Sequence, residues 1–412
     1  MPRRAEGWRR SLAVGLASGR NNSLRQTIRA RWILGPSGLL EHPELTVEEG
    51  RIVSLETGRP PRPSRPTGEA AGHWFDEALL IPSYIDIHVH GAAGHDLMEP
   101  TPEALSGVAG YLASRGVGAY FPTTVTSSTE KTLRALNLLA DAIESDGAQA
   151  GARPLGIHLE GPFLSTAKRG VHPVEWLRAP SIALFDRFWQ AARGHIRLMT
   201  IAAELPGSLD LIAHASACGV RCSVGHSNAT YQQAAAAIDA GARSATHTYN
   251  AMRPLDHRDP GLIAYVLNND RLFAEIICDG VHVDPAMVRL FARARGLGRS
   301  ILITDGISAT GMPDGAYMLG SLEVEVREGR CTSGGSLAGS VLTMDRAVRN
   351  FTAFTGSDLA DAVTLATRNP ASLVGIEDQW GALEPGREAN ITVLSASGDV
   401  LQSFRAGRPV LP

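Results

Sequence analysis

The sequence predicts an α/β protein: a (β/α)8 or TIM barrel with a small β-sandwich module formed by the N- and C-terminal segments. Three observations predict this fold. Strand-like and helical stretches alternate in the middle of the chain, both ends carry short β elements, and 412 residues exceed one ordinary compact domain. The composition agrees, since 44% hydrophobic and 20% charged residues are typical of globular proteins.

Eight apolar, strand-like runs are the basis of the barrel prediction. Eight strands with interleaved helices specify a closed barrel more economically than an open sheet. Helical stretches lie between them, for example at Leu105–Ser114, Leu133–Ile143, Gln232–Ala240 and Ala286–Arg295. The strand-like runs are Leu80–His90, Val117–Thr126, Leu155–Glu160, Ile196–Ala202, Arg221–His226, Ser244–Thr248, Phe273–Cys278 and Ile301–Asp305.

The two chain ends predict the second module. Arg29–Leu34 and Leu45–Val47 have extended patterns near the start of the chain, and Ile391–Leu394 and Val400–Phe404 have them near its end. Chain termini often lie close together in a domain. We therefore expect the two ends to build one β module beside the barrel.

Domain boundaries follow from these patterns. Residues 26–79 together with 381–412 are predicted to form the β-sandwich, and residues 80–380 the catalytic barrel. The stretch Gly58–Gly72, rich in Pro, Arg and Gly, is predicted to be a flexible loop. The Arg-rich residues 1–25 are predicted to be a disordered tail rather than a secretory signal, because their apolar patch is short.

Charge, hydropathy and cysteine content exclude several classes of protein. A net charge of −3 without a concentrated basic face argues against nucleic-acid binding. No apolar run is long enough to predict a membrane span. The four cysteines form no C-x-x-C pair, so the chain is not a disulfide scaffold and a reducing cytoplasm is expected.

Potential metal ligands stand where the predicted strands end, and barrels of this kind build their active sites at the carboxyl ends of the strands. The first run ends in Asp86-Ile87-His88-Val89-His90. Residues two apart on a strand point to the same side, so His88 and His90 would both face the barrel mouth and could share one ion. A pair of hydrogen-bonded core histidines is the alternative for this pattern taken alone.

Three further candidate ligands come from three different runs. Glu160, His226 and His247 each end a strand-like run or lie within its last two residues. Each alone is more often a hydrogen-bonded core or surface residue. Together, one carboxylate and two imidazoles suit Zn²⁺ or another borderline divalent ion and leave a coordination position for water, as in catalytic zinc sites.

Two other features concern catalysis and the substrate pocket. Asp305 ends the last run, where a carboxylate could take a proton from water and return it to a leaving nitrogen; a turn or helix-cap aspartate is the alternative. The glycine-rich segment Gly334–Ser340 precedes a helical run, Val341–Phe351, but lacks the lysine of a P-loop. It is either a backbone wall of the pocket or a connecting loop.

These motifs, in this order, resemble the N-acetylglucosamine-6-phosphate deacetylase family of the amidohydrolase superfamily. The resemblance covers about residue 27 to 412. The His-x-His pattern marks only the superfamily, whereas the blocks around Glu160, His226 and His247 are far more specific. The matching segments are Pro82–Gly91, Gly156–Phe163, Gly225–Thr230, Thr246–Met252, Asp279–His282, Thr304–Gly306, Leu337–Ser340 and Leu342–Met344.

The resemblance implies a metal-dependent hydrolase that converts N-acetylglucosamine 6-phosphate into glucosamine 6-phosphate and acetate, in amino-sugar catabolism or recycling. Glu160, His226 and His247 would hold the principal metal. Asp305 would be the general base and acid, and His172 would contact the acetamide carbonyl. Taken without the resemblance, His172 would be regarded as a loop histidine.

The resemblance also implies contacts to the sugar phosphate. Arg258 would bind the phosphate, and His282 would contact the phosphate or a hydroxyl. One of these two would reach in from a neighbouring subunit, which implies a homodimer. The implied substrate-binding residues are Gly161, Asn250, Ala251, Arg258, His282, Leu337, Ala338 and Gly339.

The number of ions and the choice of substrate stay open at this stage. Some family members lack counterparts of His88 and His90 and use one metal; this chain has both, so it would hold one or two ions, with Glu160 bridging them. Zn²⁺ is favoured, with Fe²⁺ or another divalent ion as alternatives. The rival functions are N-acetylgalactosamine-6-phosphate deacetylase, another amidohydrolase acting on a small amide, and a non-catalytic scaffold, which would have lost its ligands.

Overall fold

The computed structural model describes residues 25–35, 38–58, 72–145 and 151–410. Apart from Arg25, the predicted N-terminal tail lies outside the described residues. The predicted loop Gly58–Gly72 also lies outside them, except for its two end residues. Among the described residues, no helix has both the length and the apolar character needed to cross a bilayer.

The strands are labelled β1 to β23 in chain order. They span Gln26–Gly35, Gly38–Glu41, Glu44–Glu48, Arg51–Glu56, Gly72–Pro82, Tyr84–Val89, Gly91–Ala92, His95–Asp96, Val117–Pro122, Arg153–Pro154, Ile157–Glu160, Ile196–Ile201, Arg221–Val224, Ser244–Ala245, Phe273–Ile277, Ser300–Ile303, Gly315–Leu319, Leu322–Arg327, Arg330–Ser333, Ser336–Leu337, Ile391–Leu394, Val400–Arg405 and Arg408–Val410.

The α-helices are labelled α1 to α10 in the same way. They span Pro102–Ser114, Thr129–Glu144, Ile182–Ala191, Ser208–Ala217, Tyr231–Ala240, Gly261–Asn268, Pro285–Arg295, Met344–Thr355, Leu359–Leu365 and Arg368–Val374. Two short 3-10 helices, Thr166–Lys168 and Val174–Trp176, follow β11.

All eight predicted central runs contain a strand: β6, β9 and β11 to β16. Strands β11 to β16 form one parallel sheet in chain order, and β6, β9 and β10 form a second sheet. Single parallel bridges lie where these two sheets meet, one between Thr123 and His158 and one between Val89 and Gly306. Because helices alternate with these strands, the α/β class is confirmed.

The first predicted run, Leu80–His90, differs from the structure because it belongs to two sheets. Its first residues lie in β5, where Leu80 pairs with Val393 of β21, whereas β6 begins at Tyr84. The chain changes sheets at Ser83, whose N–H donates to the Asn390 carbonyl at 3.1 Å. The last five residues of β5 and all of β6 are buried, so a continuous apolar run gave no sign of the boundary.

Both ends of the chain meet in one eight-stranded sheet of order β23-β22-β21-β5-β1-β3-β4, with β2 paired to β1. The predicted association of the two ends is therefore present. The two-sheet sandwich form of this module is not confirmed, because the described terminal strands form a single sheet. Ile28, Leu45, Ile391, Val393 and Phe404 are among the buried residues of its own apolar core.

Local sequence explains where the helices begin. Helix α1 starts after Thr101, whose hydroxyl accepts the Ala104 N–H, with Pro102 in its first turn. Helix α5 has a capping box between Thr230 and Gln233. Helix α8 begins at Met344 rather than at the predicted Val341, because its N-cap residue is still extended, with φ −105° and ψ 153°.

A four-stranded antiparallel sheet, β17 to β20, was not predicted. It lies in the chain between β16 and α8. Its link to the central strands includes a hydrogen bond from the Gly320 N–H to Asp96 Oδ2 at 2.6 Å and one from Ser308 Oγ to the Met318 carbonyl. The alternating pattern of Leu322–Arg327, with Val324 and Val326 buried, was the available signal for it.

Candidate metal centre and active site

The carboxyl ends of the central strands bring together residues that are far apart in the sequence. Glu160 is the last residue of β11, and His88 lies near the end of β6. His226, His247 and Asp305 each follow a strand by two residues. All five side chains are buried, with relative exposures between 0% and 9%.

Glu160 lies between two pairs of histidines. Its Oε1 is 3.4 Å from Nε2 of both His226 and His247. Its Oε2 is 3.4 Å from His88 Nε2 and 3.3 Å from His90 Nε2. We call Glu160, His226 and His247 the Oε1 group, and Glu160, His88 and His90 the Oε2 group. In each group, one ligand atom from every residue lies within 4.8 Å of the others.

The hydrogen bonds made by Nδ1 of the imidazoles leave Nε2 of the same rings available to a metal. His226 Nδ1 donates to the Lys168 carbonyl at 2.8 Å, and His90 Nδ1 donates to the Thr123 carbonyl at 3.2 Å. A carbonyl only accepts, so Nδ1 carries the proton and Nε2 of the neutral ring has a free lone pair. His226 Nε2 and His247 Nε2 lie 3.1 Å apart, beside a buried Glu160 Oε1 that has no hydrogen-bond partner. Such a cluster of acceptors suits a divalent cation.

Unusual backbone conformations turn three of these side chains into the site. The φ angles of His226, His247 and Asp305 are 45°, 31° and 52°, in the left-handed region that non-glycine residues rarely adopt. Such strain concentrates at functional sites and persists where surrounding contacts hold it. At Asp305 the N–H donates to the His88 carbonyl at 2.9 Å, and the Asp305 carbonyl accepts from Ser340 N–H at 2.8 Å.

Asp305 lies on the same side of Glu160 as the Oε2 group. Its Oδ1 is 3.2 Å from His90 Nε2 and 3.5 Å from His88 Nε2. Burial would raise the pKa of this carboxyl, but the nearby His88 and His90 cations lower it well below its usual range. Asp305 is therefore ionised at neutral pH and able to accept a proton.

The carboxylates have the opposite effect on His90. Burial lowers the pKa of this imidazole, but hydrogen bonds to Asp305 and Glu160 raise it, with a net pKa of about 9. An environment that holds a proton on Nε2 so firmly stabilises positive charge at that point. A divalent cation would displace this proton, which makes metal binding dependent on pH.

His172 lies on the loop after β11 and presents a neutral ring to the centre. Its Nδ1 accepts the Thr126 N–H at 3.3 Å, so the proton of the neutral ring is on Nε2, 3.8 Å from Glu160 Oε2. Burial lowers the pKa of His172 to about 3, and the neighbouring His226 adds to this effect. The ring is thus an uncharged hydrogen-bond donor directed at the site.

Two glycines among the predicted substrate contacts allow close packing beside the candidate ligands. A Cβ on Gly161, with φ +79°, would lie 2.0 Å from Thr126 Oγ1. A Cβ on Gly339, with φ +62°, would lie 2.3 Å from Ile307 Cγ2 and 3.2 Å from the Asp305 carbonyl oxygen. Ala338 beside it is buried, whereas Leu337 is 37% exposed. The end of the Gly334–Ser340 segment therefore packs against the site.

Asn250 and Ala251 follow the candidate ligand His247 in the chain, whereas His282 lies on the segment after β15. His282 Nδ1 donates to Asp279 Oδ2 at 2.6 Å. Burial would lower the pKa of His282, but this carboxylate raises it. The Asn250 N–H donates to the His247 carbonyl at 3.0 Å, and the Ala251 carbonyl accepts the Ser227 N–H at 3.0 Å. Asn250 and Ala251 are thus held next to the segments that carry the candidate ligands His247 and His226.

The comparison with known proteins is decisive for the family. Residues 79–410 match the amidohydrolase family. The chain belongs to the amidohydrolase family. It is 38% identical, over 93% of its length and 99% of the relative's, to N-acetylgalactosamine-6-phosphate deacetylase of Escherichia coli O157:H7. It is 39% identical, over 80% of its length and 82% of the relative's, to N-acetylglucosamine-6-phosphate deacetylase of Vibrio furnissii.

Solved structures agree with this placement. A mutant of N-acetyl-D-glucosamine-6-phosphate deacetylase from Mycobacterium smegmatis, in complex with N-acetyl-D-glucosamine-6-phosphate, superposes with a TM-score of 0.88 at 34% identity. The match covers 94% of this chain and 100% of the other. The resemblance to the N-acetylglucosamine-6-phosphate deacetylases within the amidohydrolase family is thereby confirmed.

One predicted substrate-binding residue of this amidohydrolase, Arg258, does not lie with the other predicted site residues. Arg258 lies on an exposed loop, where its N–H donates to Asp256 Oδ1 at 2.8 Å. The structure places it at the surface rather than beside the candidate ligands. The position of Arg258 within one subunit does not test its predicted role in binding phosphate, which stays a prediction.

Sequence reasoning missed two residues that contact the site histidines. Glu275 in β15 has its Oε2 3.4 Å from His88 Nδ1 and is fully buried. Thr126 contacts His172 Nδ1 through its N–H and, at 2.7 Å, its Oγ1. A carboxylate inside the apolar strand Phe273–Ile277 was a usable signal for Glu275, whereas a threonine offers none.

Proposed function

We propose that this amidohydrolase hydrolyses the acetamide of N-acetylglucosamine 6-phosphate and releases glucosamine 6-phosphate and acetate. One observation carries the proposal. Glu160 lies between two pairs of histidines, and Asp305 Oδ1 is 3.2 Å from Nε2 of His90 in one of these pairs. This arrangement suits metal-dependent hydrolysis, and it occurs in a chain 35% to 39% identical to enzymes named for this deacetylation.

Five residues would hold the metal: Glu160, His226 and His247 in the Oε1 group, with His88 and His90 on the other oxygen of Glu160. When bound, a divalent ion acidifies water and polarises a carbonyl. The nitrogen and carboxylate ligands favour Zn²⁺, with Fe²⁺ or another divalent ion as alternatives. The two groups would hold one ion each, the first at the Oε1 group.

Asp305 and His172 would move and stabilise charge during hydrolysis. Asp305, ionised and buried, would take the proton of the attacking water and deliver it to the leaving nitrogen. His172 would donate its Nε2 proton in a hydrogen bond to the acetamide oxygen as negative charge develops there. Its low pKa keeps the ring a neutral donor at neutral pH.

The sugar phosphate would bind along the rim of the site. The Asn250 and Ala251 segment and His282 would contact the phosphate or the hydroxyls, while Gly161 and the Leu337–Gly339 segment would line the sugar. A phosphomonoester suits Arg258, whose guanidinium offers parallel donors. Because Arg258 lies on an exposed loop, we propose that it enters the site of a neighbouring subunit in a homodimer.

N-acetylgalactosamine 6-phosphate is the second candidate substrate. The Escherichia coli relative that is named for this substrate is 38% identical to the chain over 386 residues. The two sugars differ by the inversion of one hydroxyl, and the metal ligands and Asp305 would act on their common acetamide. Contacts at the sugar rim would therefore decide between them.

We propose that β6, β9 and β11 to β16 close into a (β/α)8 barrel of residues 80–380, supported by the two bridges that join the ends of the two sheets. Residues 26–79 and 381–412 would form the small β domain, with the sandwich form as a prediction. The cytoplasm is the proposed compartment, and four free cysteines support a reducing one.

Acetate release tests the function directly. The substrates are N-acetylglucosamine 6-phosphate, N-acetylgalactosamine 6-phosphate and their unphosphorylated parents, each with and without a chelator. We expect release from a phosphorylated sugar that stops when the metal is removed and returns when it is restored. Equal rates with chelator would contradict metal dependence, and no release from any of the four would favour a non-catalytic scaffold.

A further inference from the structure

Glu275 is a buried carboxylate that the proposed mechanism does not use. It lies in the middle of β15 between Ala274 and Ile276, and none of these three residues is exposed to solvent. Its Oε1 has no hydrogen-bond partner. Removing a carboxylate from water is costly unless its charge is matched, so structure alone gives little reason for this residue type here.

The other oxygen of Glu275 faces both groups of histidines. Oε2 is 3.4 Å from His88 Nδ1 and 3.4 Å from the backbone nitrogen of His247. The adjacent backbone strengthens this connection, since the Glu275 carbonyl accepts the Thr248 N–H at 2.8 Å. One residue of β15 therefore contacts a ligand side chain on β6 and the segment that carries a ligand after β14.

The contact between Glu275 Oε2 and His88 Nδ1 is typical of imidazoles that bind a metal through Nε2. A carboxylate accepts the Nδ1 proton, which leaves the Nε2 lone pair free and fixes the orientation of the ring. His88 Nε2 then points to Glu160 Oε2 at 3.4 Å. Carbonyl groups behind His90 and His226 do the same for those rings, but only His88 has a carboxylate there.

We propose that Glu275 is a positioning residue that orients His88 for an ion at the Oε2 group. The proposal rests on the metal dependence of the proposed function and goes beyond it by naming what makes the second group able to bind. Glu275 would not touch substrate. Its loss would weaken the Oε2 group specifically, because its contact at His247 is to the backbone rather than to the ligand ring.

Metal binding without substrate tests this proposal. Metal-free full-length protein is titrated with Zn²⁺ against a competing chelator. Wild type should bind two equivalents. Glu275→Leu, which removes the acceptor, should weaken one equivalent by about 10–100-fold and leave the other unchanged. Glu275→Gln, whose amide oxygen can still accept from His88, should lose less.

Asp345→Asn is the matched control for neutralising a buried carboxylate. Asp345 is also buried, has one oxygen without a partner, and pairs with Arg349 at 3.1 Å rather than with a metal ligand. The Asp345→Asn variant should bind both equivalents of Zn²⁺ with the same affinities as wild type. Thermal melting of every metal-free variant shows whether the chain has folded before its affinities are compared.

A His90→Asn background identifies which equivalent is affected. His90→Asn should bind a single ion at the Oε1 group, and adding Glu275→Leu should leave that affinity unchanged. Three results would each overturn the proposal. The ion that remains in the His90→Asn background could bind more weakly after Glu275→Leu is added, Glu275→Leu alone could bind both equivalents with wild-type affinity, or wild type could bind only one equivalent of Zn²⁺. The titration needs no substrate, so a chain that releases no acetate refutes the proposed function while leaving this result valid.

Discussion

The two groups on either side of Glu160 are built differently. In the Oε1 group, His226 and His247 follow two separate strands and have φ angles of 45° and 31°. In the Oε2 group, His88 lies in β6 and His90 follows the end of that strand by one residue, and neither is in the left-handed region. The first group thus depends on strained turns, the second on the regular alternation of one strand.

The charges around the two groups differ as well. The Oε1 group has Glu160 as its carboxylate, whereas the Oε2 group also has Asp305 at 3.2 Å from His90 and Glu275 at 3.4 Å from His88. The candidate base therefore lies on the Oε2 side. We infer that the Oε1 group is the principal metal site and that the Oε2 side combines a second ion with proton transfer.

The largest expected effect separates the two groups directly. His247→Asn should remove the principal ion and reduce acetate release to the background rate, because the developing charge loses its main electrostatic stabilisation. His90→Asn should keep one equivalent of metal and a measurable rate. Metal content and acetate release of both variants check this. A His90→Asn chain without metal beside an active His247→Asn chain would reverse the assignment.

Asp305→Asn should give the next largest effect. Loss of the base should lower kcat by about 10²–10⁴-fold with little change in KM. The ion at the Oε1 group should remain, since Asp305 is not one of its ligands. Steady-state kinetics with metal analysis of the same preparation tests this. A rate near wild type with metal retained would remove Asp305 from the mechanism.

Arg258 tests the rim of the site rather than either metal group. Arg258→Ala should lower kcat/KM for the phosphorylated sugar by about 10–100-fold, as expected from losing hydrogen bonds of about 1.5–3 kcal/mol to a charged group. The rate on the unphosphorylated sugar should stay the same. Equal losses on both sugars would show that Arg258 does not bind the phosphate.

The smallest effect concerns stability at the Asp279–His282 pair, which lies outside both groups. Burial opposes both charges, yet the pair lowers the pKa of Asp279 and raises that of His282. The raised pKa of His282 contributes stability that is complete below about pH 6.5 and is lost as the pH rises through the folded value. The lowered pKa of Asp279 contributes stability above about pH 3.9 that is lost at still lower pH.

Asp279→Asn checks this pH dependence. It should lower the free energy of unfolding by about 1 kcal/mol near pH 6, the usual contribution of one hydrogen bond. The difference from wild type should shrink as the pH rises through the folded pKa of His282. Urea unfolding at a series of pH values measures it. If the difference in free energy of unfolding does not vary with pH, the lost stability comes from packing rather than from the charge of the pair.

The sequence was sufficient for the strands and for the positions of the candidate ligands, because both follow from simple rules. Apolar runs mark β6, β9 and β11 to β16, and carboxyl ends of parallel strands meet on one side of a sheet. That rule alone placed Glu160, His226, His247 and Asp305 near one another. The roles assigned to substrate-binding residues depended on the family resemblance and stay predictions.

Other features depend on packing that a single sequence does not express. The boundary at Ser83 is hidden because the last residues of β5 and all of β6 are buried. Glu275 became visible as a partner of His88 only when β15 was placed next to the histidines in space. The sheet β17 to β20 was not predicted, although the alternating pattern of Leu322–Arg327 is typical of a strand with one buried face.

The most direct test is anomalous diffraction at the zinc edge from crystals of the wild-type chain grown with Zn²⁺. We predict a peak within about 2.0–2.2 Å of Glu160 Oε1, His226 Nε2 and His247 Nε2, the distances of zinc to oxygen and nitrogen ligands. A second peak should lie at the Oε2 group. Electron density with these side chains directed away from one another, and no peak between them, would contradict the metal centre.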